Sequence, residues 1–227
     1  SQALAYTVLR REWTNVYEEN ESGGGQWTWT VNDVQIDTGS LQTDAEGAGR
    51  FSFTPPEGGT YKLLVSGTDI DGRITQSSLF VWATGPETVS WRRSNDDRIT
   101  LIPDKTEYTV GETAQLLIPS PYEGPHWALI TTERGSLLSR DVVLLTSNST
   151  VLEIPILEAH LPNVYVSVVL VQGLEAAQAA ADGSTGVAEM KVGYAALYHG
   201  TPERGASRCA RPTGRRCRRQ KLAMTCG

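Results

Sequence analysis

The sequence predicts an all-β chain of two consecutive antiparallel β-sandwiches followed by an irregular C-terminal tail. Three observations carry that prediction. Apolar residues alternate with polar ones over short runs, as in Trp27, Trp29 and Val31 against Thr28 and Thr30, or Val164, Val166, Val168 and Leu170. Turn signals separate these runs about every ten residues, which is the spacing of sandwich strands. Glycine (22 residues) and proline (11), with many serines and threonines, suit short strands joined by frequent turns. The chain has 227 residues, enough for two domains of ordinary size.

Taken in order, Ala5 to Trp13 reads as a first strand, with Tyr6, Val8 and Arg10 on one face and Thr7 and Leu9 on the other. Glu18 to Gln26 is polar and glycine-rich and reads as an exposed hairpin loop. Trp27 to Val31 is the next strand. Asp44 to Gly47 makes a turn, Phe51 and Phe53 alternate into a core, and Pro55 to Gly59 turns again. Tyr61, Leu63 and Val65 alternate, Asp69 to Gly72 closes a hairpin, and Leu79 to Trp82 ends the run.

Thr84 to Arg98 is polar and turn-rich. It is the expected domain boundary and a candidate hinge, giving domains at 1–90 and 91–198. The second half restarts at Ile99–Ile102. Strands are then expected at Ala114–Ile118, Trp127–Thr132, Leu137–Leu145, Ser149–Ile156, Val164–Val171 and Met190–Leu197. Leu174 to Ala181 is alanine-rich and reads equally as a helical turn or a loop.

From Tyr198 the apolar periodicity ends. Residues 199–227 hold eight basic side chains and one acidic one, and all three cysteines, Cys209, Cys217 and Cys226. The rest of the chain holds 12 basic and 25 acidic side chains and no cysteine. This tail, predicted to be disordered, is read either as a natural basic extension or as sequence from a shifted reading frame. The acidic body does not suit nucleic acid, whose binding rests on neutralising phosphates. No apolar run approaches the roughly 20 residues of a membrane-spanning helix, so no direct membrane insertion is expected.

Candidate chemistry is sparse. His126, His160 and His199 lie far apart without ligands at motif spacing, and His126 reads as a surface-loop residue. Asp69 and Asp71 invite a calcium reading, but Asp-x-Asp-Gly is too short for a twelve-residue loop, and a plain hairpin turn is expected. Ser136 follows Gly135 but lacks a nucleophile-elbow context. Asn20-Glu-Ser22 and Asn148-Ser-Thr150 match glycosylation acceptors. The tryptophans are read as core residues. No catalytic, cofactor-binding or metal-binding residue is assigned, and no cofactor or enzymatic activity is expected.

Several stretches resemble a known family. Leu101 to Leu117, Ser120 to Gly124, Ala128 to Leu138 and Leu161 to Gly173 resemble the bait-region domain of bacterial alpha-2-macroglobulins. Arg11-Glu-Trp13, Thr43 to Gly47, Phe51 to Pro56, Gly59 to Tyr61 and Asp69 to Gly72 resemble the macroglobulin domain that precedes it. The resemblance covers roughly residues 4–197. It implies fibronectin- or immunoglobulin-like sandwiches of macroglobulin type. It also implies a protease trap as the parent: an endopeptidase inhibitor of the periplasm, cell envelope or extracellular space. The implied partners are neighbouring macroglobulin domains of the host chain and, through the full-length parent, target proteases. The thioester motif Cys-Gly-Glu-Gln is absent; Cys217 and Gln220 have its separation, but Arg218 and Arg219 stand between them. The expectation is therefore a fragment that supplies scaffold, with the first domain cut short at its start and the thioester and bait segment lacking. The alternative from another class is an adhesion or carbohydrate-binding sandwich that uses Trp27 and Trp29.

Overall fold

The computed structural model describes residues 1–21, 25–174 and 188–200. They divide into two compact units. The first holds Ser1–Glu12 and Val31–Ala83; the second holds Trp13–Thr30 and the described residues from Thr84 onward. The all-β expectation is borne out: twelve strands and a single 3-10 turn, Glu158–His160, make up the described elements.

Strands β1 (Ala3–Glu19), β2 (Gly25–Gln42), β3 (Gly59–Thr68) and β4 (Ile74–Ala83) form one sheet in the order β2-β1-β3-β4. Both long strands exceed what alternation marks in the sequence. β1 runs to Glu19, and β2 continues to Gln42 through a stretch with no clear apolar period. The register sets Val8 opposite Leu63 and Leu63 opposite Leu79, so one face carries an apolar row. Val8, Tyr61 and Leu63 are its fully buried members; Tyr6, Ile36, Phe51, Phe53, Leu79, Val81 and Ala83 pack against them half-buried.

Phe51 and Phe53 correct one expectation. They do face the core, but they belong to no strand. Pro55 and Pro56 follow directly and offer no N–H to a ladder. The segment instead lies over the sheet, with Phe51 stacked on Tyr6 at 4.2 Å between ring centroids and Phe53 tilted on Tyr61 at 5.6 Å. The Tyr61 hydroxyl donates to the Glu57 carbonyl at 2.8 Å and pins the following turn. Arg10 pairs with Glu12 and Glu57, and Arg11 forms a two-pronged pair with Asp33 at 2.8 Å for each bond.

The second unit has two facing sheets. β5 (Ile102–Pro103), β7 (Thr113–Pro119) and β10 (Ser149–Pro155) form one, in the order β10-β7-β5. β6 (Glu107–Tyr108), β8 (His126–Glu133), β9 (Leu137–Leu145), β11 (Asn163–Gln172) and β12 (Glu189–His199) form the other, in the order β6-β12-β11-β8-β9. The expected strands of this half lie where alternation placed them, within a residue or two at each end. β12 runs two residues past Leu197, because Tyr198 and His199 pair in parallel with Glu107 and Tyr108. That pairing needs only backbone, so no apolar pattern announces it.

The core between these sheets is large. Ala114, Leu116 and Ile118 of β7 meet Val164, Val166, Val168 and Leu170 of β11 and Ala128 and Ile130 of β8, all buried. Tyr108 is buried at the sandwich end. Its hydroxyl donates to Asp104 at 2.8 Å and accepts from the Lys105 amide at 3.1 Å, and burial pushes its pKa up to about 12. Gly193 of β12 is required by close approach: a Cβ there would sit 2.8 Å from the Ile99 side chain and 2.9 Å from Leu101.

Thr84–Arg98 is not the bare polar linker its composition suggests. Val89 and Trp91 are buried with Leu117 in a core cluster of the second unit. Two apolar side chains in a polar run suffice to anchor it, because they recur two apart and enter the same pocket. Residues 175–187, most of the alanine-rich stretch, and the basic tail from residue 201 lie outside the described residues.

Candidate functional site

Histidines and turn carboxylates are the usual carriers of chemistry. His126 corrects the surface-loop reading. It is 2% exposed and opens β8. Its Nδ1 lies 2.8 Å from the Gly124 carbonyl and its ring stands edge-on to Tyr122. Pro125 and the Gly124 turn drive the chain inward at this point, which a polar residue beside Trp127 does not signal. Burial lowers the His126 pKa, and burial does the same at His160. Among the described residues no three or more His, Cys, Asp or Glu side chains gather as a metal site.

Asp69 organises the β3–β4 hairpin. One oxygen accepts from the Asp71 and Arg73 amides at 2.9 Å each, and the other accepts from the Arg73 guanidinium at 2.7 Å. The Arg73 backbone bond, aided by its side chain, holds the carboxyl below its ordinary pKa. Gly72 supplies the positive φ of 79° that the turn needs. Ser136 lines an open hollow of about 800 Å³ together with Glu133, Gly135, Leu137, Tyr165 and Tyr194. Glu133 is the one ionisable carboxylate in that lining, and no histidine or lysine joins it there.

The tryptophans divide. Trp27 and Trp91 are buried, whereas Trp29, Trp82 and Trp127 are each more than a third exposed, so core packing accounts for only part of the set. The adhesion reading needs Trp27 and Trp29 free to stack on a ligand. Trp27 is 7% exposed, edge-on to Tyr17 and capped by the Arg93 guanidinium 4.2 Å from its ring. Trp29 lies under Arg92 at 4.0 Å. The Trp27 ring is committed within the protein, while Trp29 keeps more than a third of its surface open beside Arg92.

Around them, inside the second unit, three asparagines fasten the Trp13–Thr30 hairpin tip and the 84–98 connector. Asn95 accepts from the Trp27 amide at 2.5 Å and donates to the Trp27 carbonyl at 2.9 Å. Asn15 donates to the Trp91 carbonyl at 2.9 Å and accepts from the Arg93 amide at 3.0 Å. Asn148 brackets Val89 in the same two-way manner, at 3.0 and 2.7 Å. Asn148 is therefore buried and occupied, which removes Asn148-Ser-Thr150 as a glycosylation acceptor in the folded chain. Sequence reasoning missed all three. A buried amide that mimics a strand partner has no motif, since any Asn in a turn-rich stretch looks alike.

β9 is the edge strand of the five-stranded sheet. Among the described residues it pairs with β8 alone, and its residues are exposed on both faces up to Leu144. The facing three-stranded sheet does not extend over it. The sequence LLSRDVVLL carries apolar residues at both ends on both faces and a central Arg140-Asp141. Such a run usually marks a strand buried on both sides; here it is open.

Two family models match the chain in tandem: the bacterial macroglobulin domain 6 over residues 1–84 and the alpha-2-macroglobulin bait region domain over residues 99–198. An alpha-2-macroglobulin homolog from Nostoc sp. is 30% identical over 123 residues, covering 53% of this chain and 6% of the relative. The alpha-2-macroglobulin of Escherichia coli is 27% identical over 146 residues, covering 61% of this chain and 8% of the relative. The chain thus spans under a tenth of the length of either. Among solved structures, Salmonella alpha-2-macroglobulin reacted with methylamine is similar at 24% identity and a TM-score of 0.35, over 88% of this chain and 12% of that one. The native conformation of the E. coli protein is similar at 23% identity, with the same TM-score and coverage.

Proposed function

Because the chain belongs to the bacterial alpha-2-macroglobulin family, we propose that it supplies scaffold domains to a protease-trapping endopeptidase inhibitor and performs no catalysis of its own. The observation that supports this is the order of the two matched domains along one chain, macroglobulin domain 6 followed directly by the bait region domain. Organised side-chain chemistry in the described residues goes to bracing backbone, as with Asn95, Asn15 and Asn148. A scaffold needs fixed geometry more than reactive groups. The domains are taken as 1–90 and 91–198, with the thioester and bait functions residing elsewhere in a longer protein. That protein acts on target proteases in the periplasm, at the cell envelope or outside the cell.

The test is stoichiometric. The purified chain is mixed with an endopeptidase at equimolar ratio, and cleavage of a large protein substrate is followed. The chain alone is expected to leave cleavage unchanged, whereas a longer gene product containing it is expected to suppress cleavage. Equimolar protection by the chain alone would overturn the assignment of the bait elsewhere.

A further inference from the structure

Folded interiors leave few polar atoms unpaired, because an unpaired one forfeits the bonds it makes in water. Among the described residues five buried side-chain polar atoms have no protein partner. Three of them belong to one end of the closed core: the Tyr122 hydroxyl, His126 Nε2 and Gln172 Nε2. Tyr122, His126 and Gln172 are each 2% exposed.

The fold brings these residues together. The Tyr122 and His126 rings stand edge-on with centroids 5.5 Å apart. β8 and β11 pair Trp127 with Val171. The next position in that register sets His126, which opens β8, beside Gln172, which ends β11. On its other side Gln172 pairs with Glu189 of β12. Burial raises the Tyr122 pKa above its ordinary value and the Glu189 charge raises it further. The phenol is therefore close enough to the Gln172–Glu189 pair to feel its charge.

The chemistry of the three atoms decides what can bridge them. His126 Nδ1 lies 2.8 Å from the Gly124 carbonyl, which only accepts, so the neutral ring carries its proton on Nδ1 and offers a lone pair at Nε2. Gln172 Nε2 only donates, and the Tyr122 hydroxyl has a proton to give. One acceptor and two donors need a common partner. An anion would satisfy the donors and repel the Nε2 lone pair. A metal cation would satisfy Nε2 and repel the amide hydrogens. Water does both, and buried waters make about three hydrogen bonds each.

We propose that an internal water binds between these residues, donating to His126 Nε2 and accepting from the Tyr122 hydroxyl and the Gln172 amide. It ties the turn that leads into β8 to the ends of β8 and β11, where the side chains make no direct hydrogen bond to one another. The site does not depend on protease trapping, so its failure would leave that reading untouched.

The test uses the whole chain. A high-resolution crystal structure should show one solvent peak within about 3.2 Å of all three atoms. In solution, nuclear Overhauser effects should connect a long-lived water to protons of the Tyr122 and His126 rings. Tyr122→Phe deletes one donor at unchanged shape and should lower the folding equilibrium constant roughly two- to tenfold. A hydroxyl without any partner would leave that constant unchanged or raised when deleted. Gln172→Met deletes the second donor, and the double variant should lose less than the product of the single losses, because one water serves both groups. A map without the peak, or with protein groups bonded to these atoms, would overturn the proposal. So would a Tyr122→Phe chain no less stable than the parent, or losses that simply multiply. The map and the Overhauser effects are read on the unmodified chain, so they decide the matter even if a variant does not fold.

Discussion

The two units use the same alternation of apolar and polar residues and obtain different cores from it. In the second, two sheets face each other, and seventeen residues form a fully buried cluster. In the first, one sheet is covered by a strandless segment, and three residues are fully buried among seven half-buried neighbours. β11 and β4 make the contrast concrete. Val164, Val166, Val168 and Leu170 alternate and are all buried; Leu79 and Val81 alternate but stay half-buried, with Phe80 and Trp82 exposed on the reverse face. Alternation states which residues share a face. Burial follows only when a second layer closes over that face.

The largest effect expected is in the closed core. Leu170 is buried in the middle of the five-stranded sheet, opposite Ala128 and Lys191. Leu170→Ala removes packing that two fixed layers cannot recover and should cost about 2–5 kcal/mol. A urea titration should show a lower midpoint at unchanged slope. A loss below about 1 kcal/mol would mean that the facing sheets do not hold this residue as tightly as its burial indicates.

Leu63→Ala puts the same change into the open core. Leu63 is equally buried, between Val8 and Leu79, but its cover is half-buried and can settle into the space. The loss should lie near the low end, about 2–3 kcal/mol. It should also be local: amide exchange should accelerate over β3 and β4 while β7, β8 and β11 keep their protection. If both sets lose protection together, the two units unfold as one and the contrast between them fails.

This contrast also explains what is legible in the sequence. Apart from β9, which reads as an apolar run broken by Arg140-Asp141, β7 to β12 are marked by alternation because the facing sheets enforce it. β2 beyond Val31 is not, because its residues 32–42 serve an open sheet, where Asp33 can pair with Arg11 and still be tolerated. Phe51 and Phe53 indicate the right face and the wrong element, since two aromatic rings can cover a sheet without a ladder. The family resemblance is legible in ordered turns and strand starts. The braces are not, because Asn95, Asn15 and Asn148 act on backbone groups distant in sequence, which leaves no local spacing to read.

Asn148→Ala tests the best buried of those braces. It would leave the Val89 N–H without its Asn148 partner inside a closed cluster, while the Val89 C=O keeps the Trp91 amide at 3.0 Å. Stranding that buried N–H should cost about 1–3 kcal/mol, toward the low end and less than the Leu170 truncation. The connector should respond first, with faster amide exchange over 88–92 before any change in β11. The Trp91 indole should keep its bond, because it donates to the Asn148 backbone carbonyl at 2.7 Å, which the substitution retains. Unchanged exchange over the connector would show that Val89 and Trp91 hold it through packing alone.

The smallest effect expected comes from protons. His126 donates from Nδ1 to the Gly124 carbonyl, while its buried Nε2 has no partner among the described residues. His160 accepts from the Leu157 amide on Nδ1 at 3.3 Å, a bond that protonation would remove. Both pKa values lie below the ordinary 6.5 through burial. The unfolded chain therefore takes up these protons first as pH falls below about 6.5, and folded stability drops between that point and the lowered folded values. Above pH 7 both states are neutral at these sites and neither contributes. The slope cannot exceed about 1.4 kcal/mol per pH unit for each histidine. Melting the second unit at pH 7.5, 6.5 and 5.5 should show a decline between the last two that shrinks in a His126→Gln variant and shrinks further when His160→Gln is added. A decline of the same size in the double variant would show that the two buried rings do not carry it.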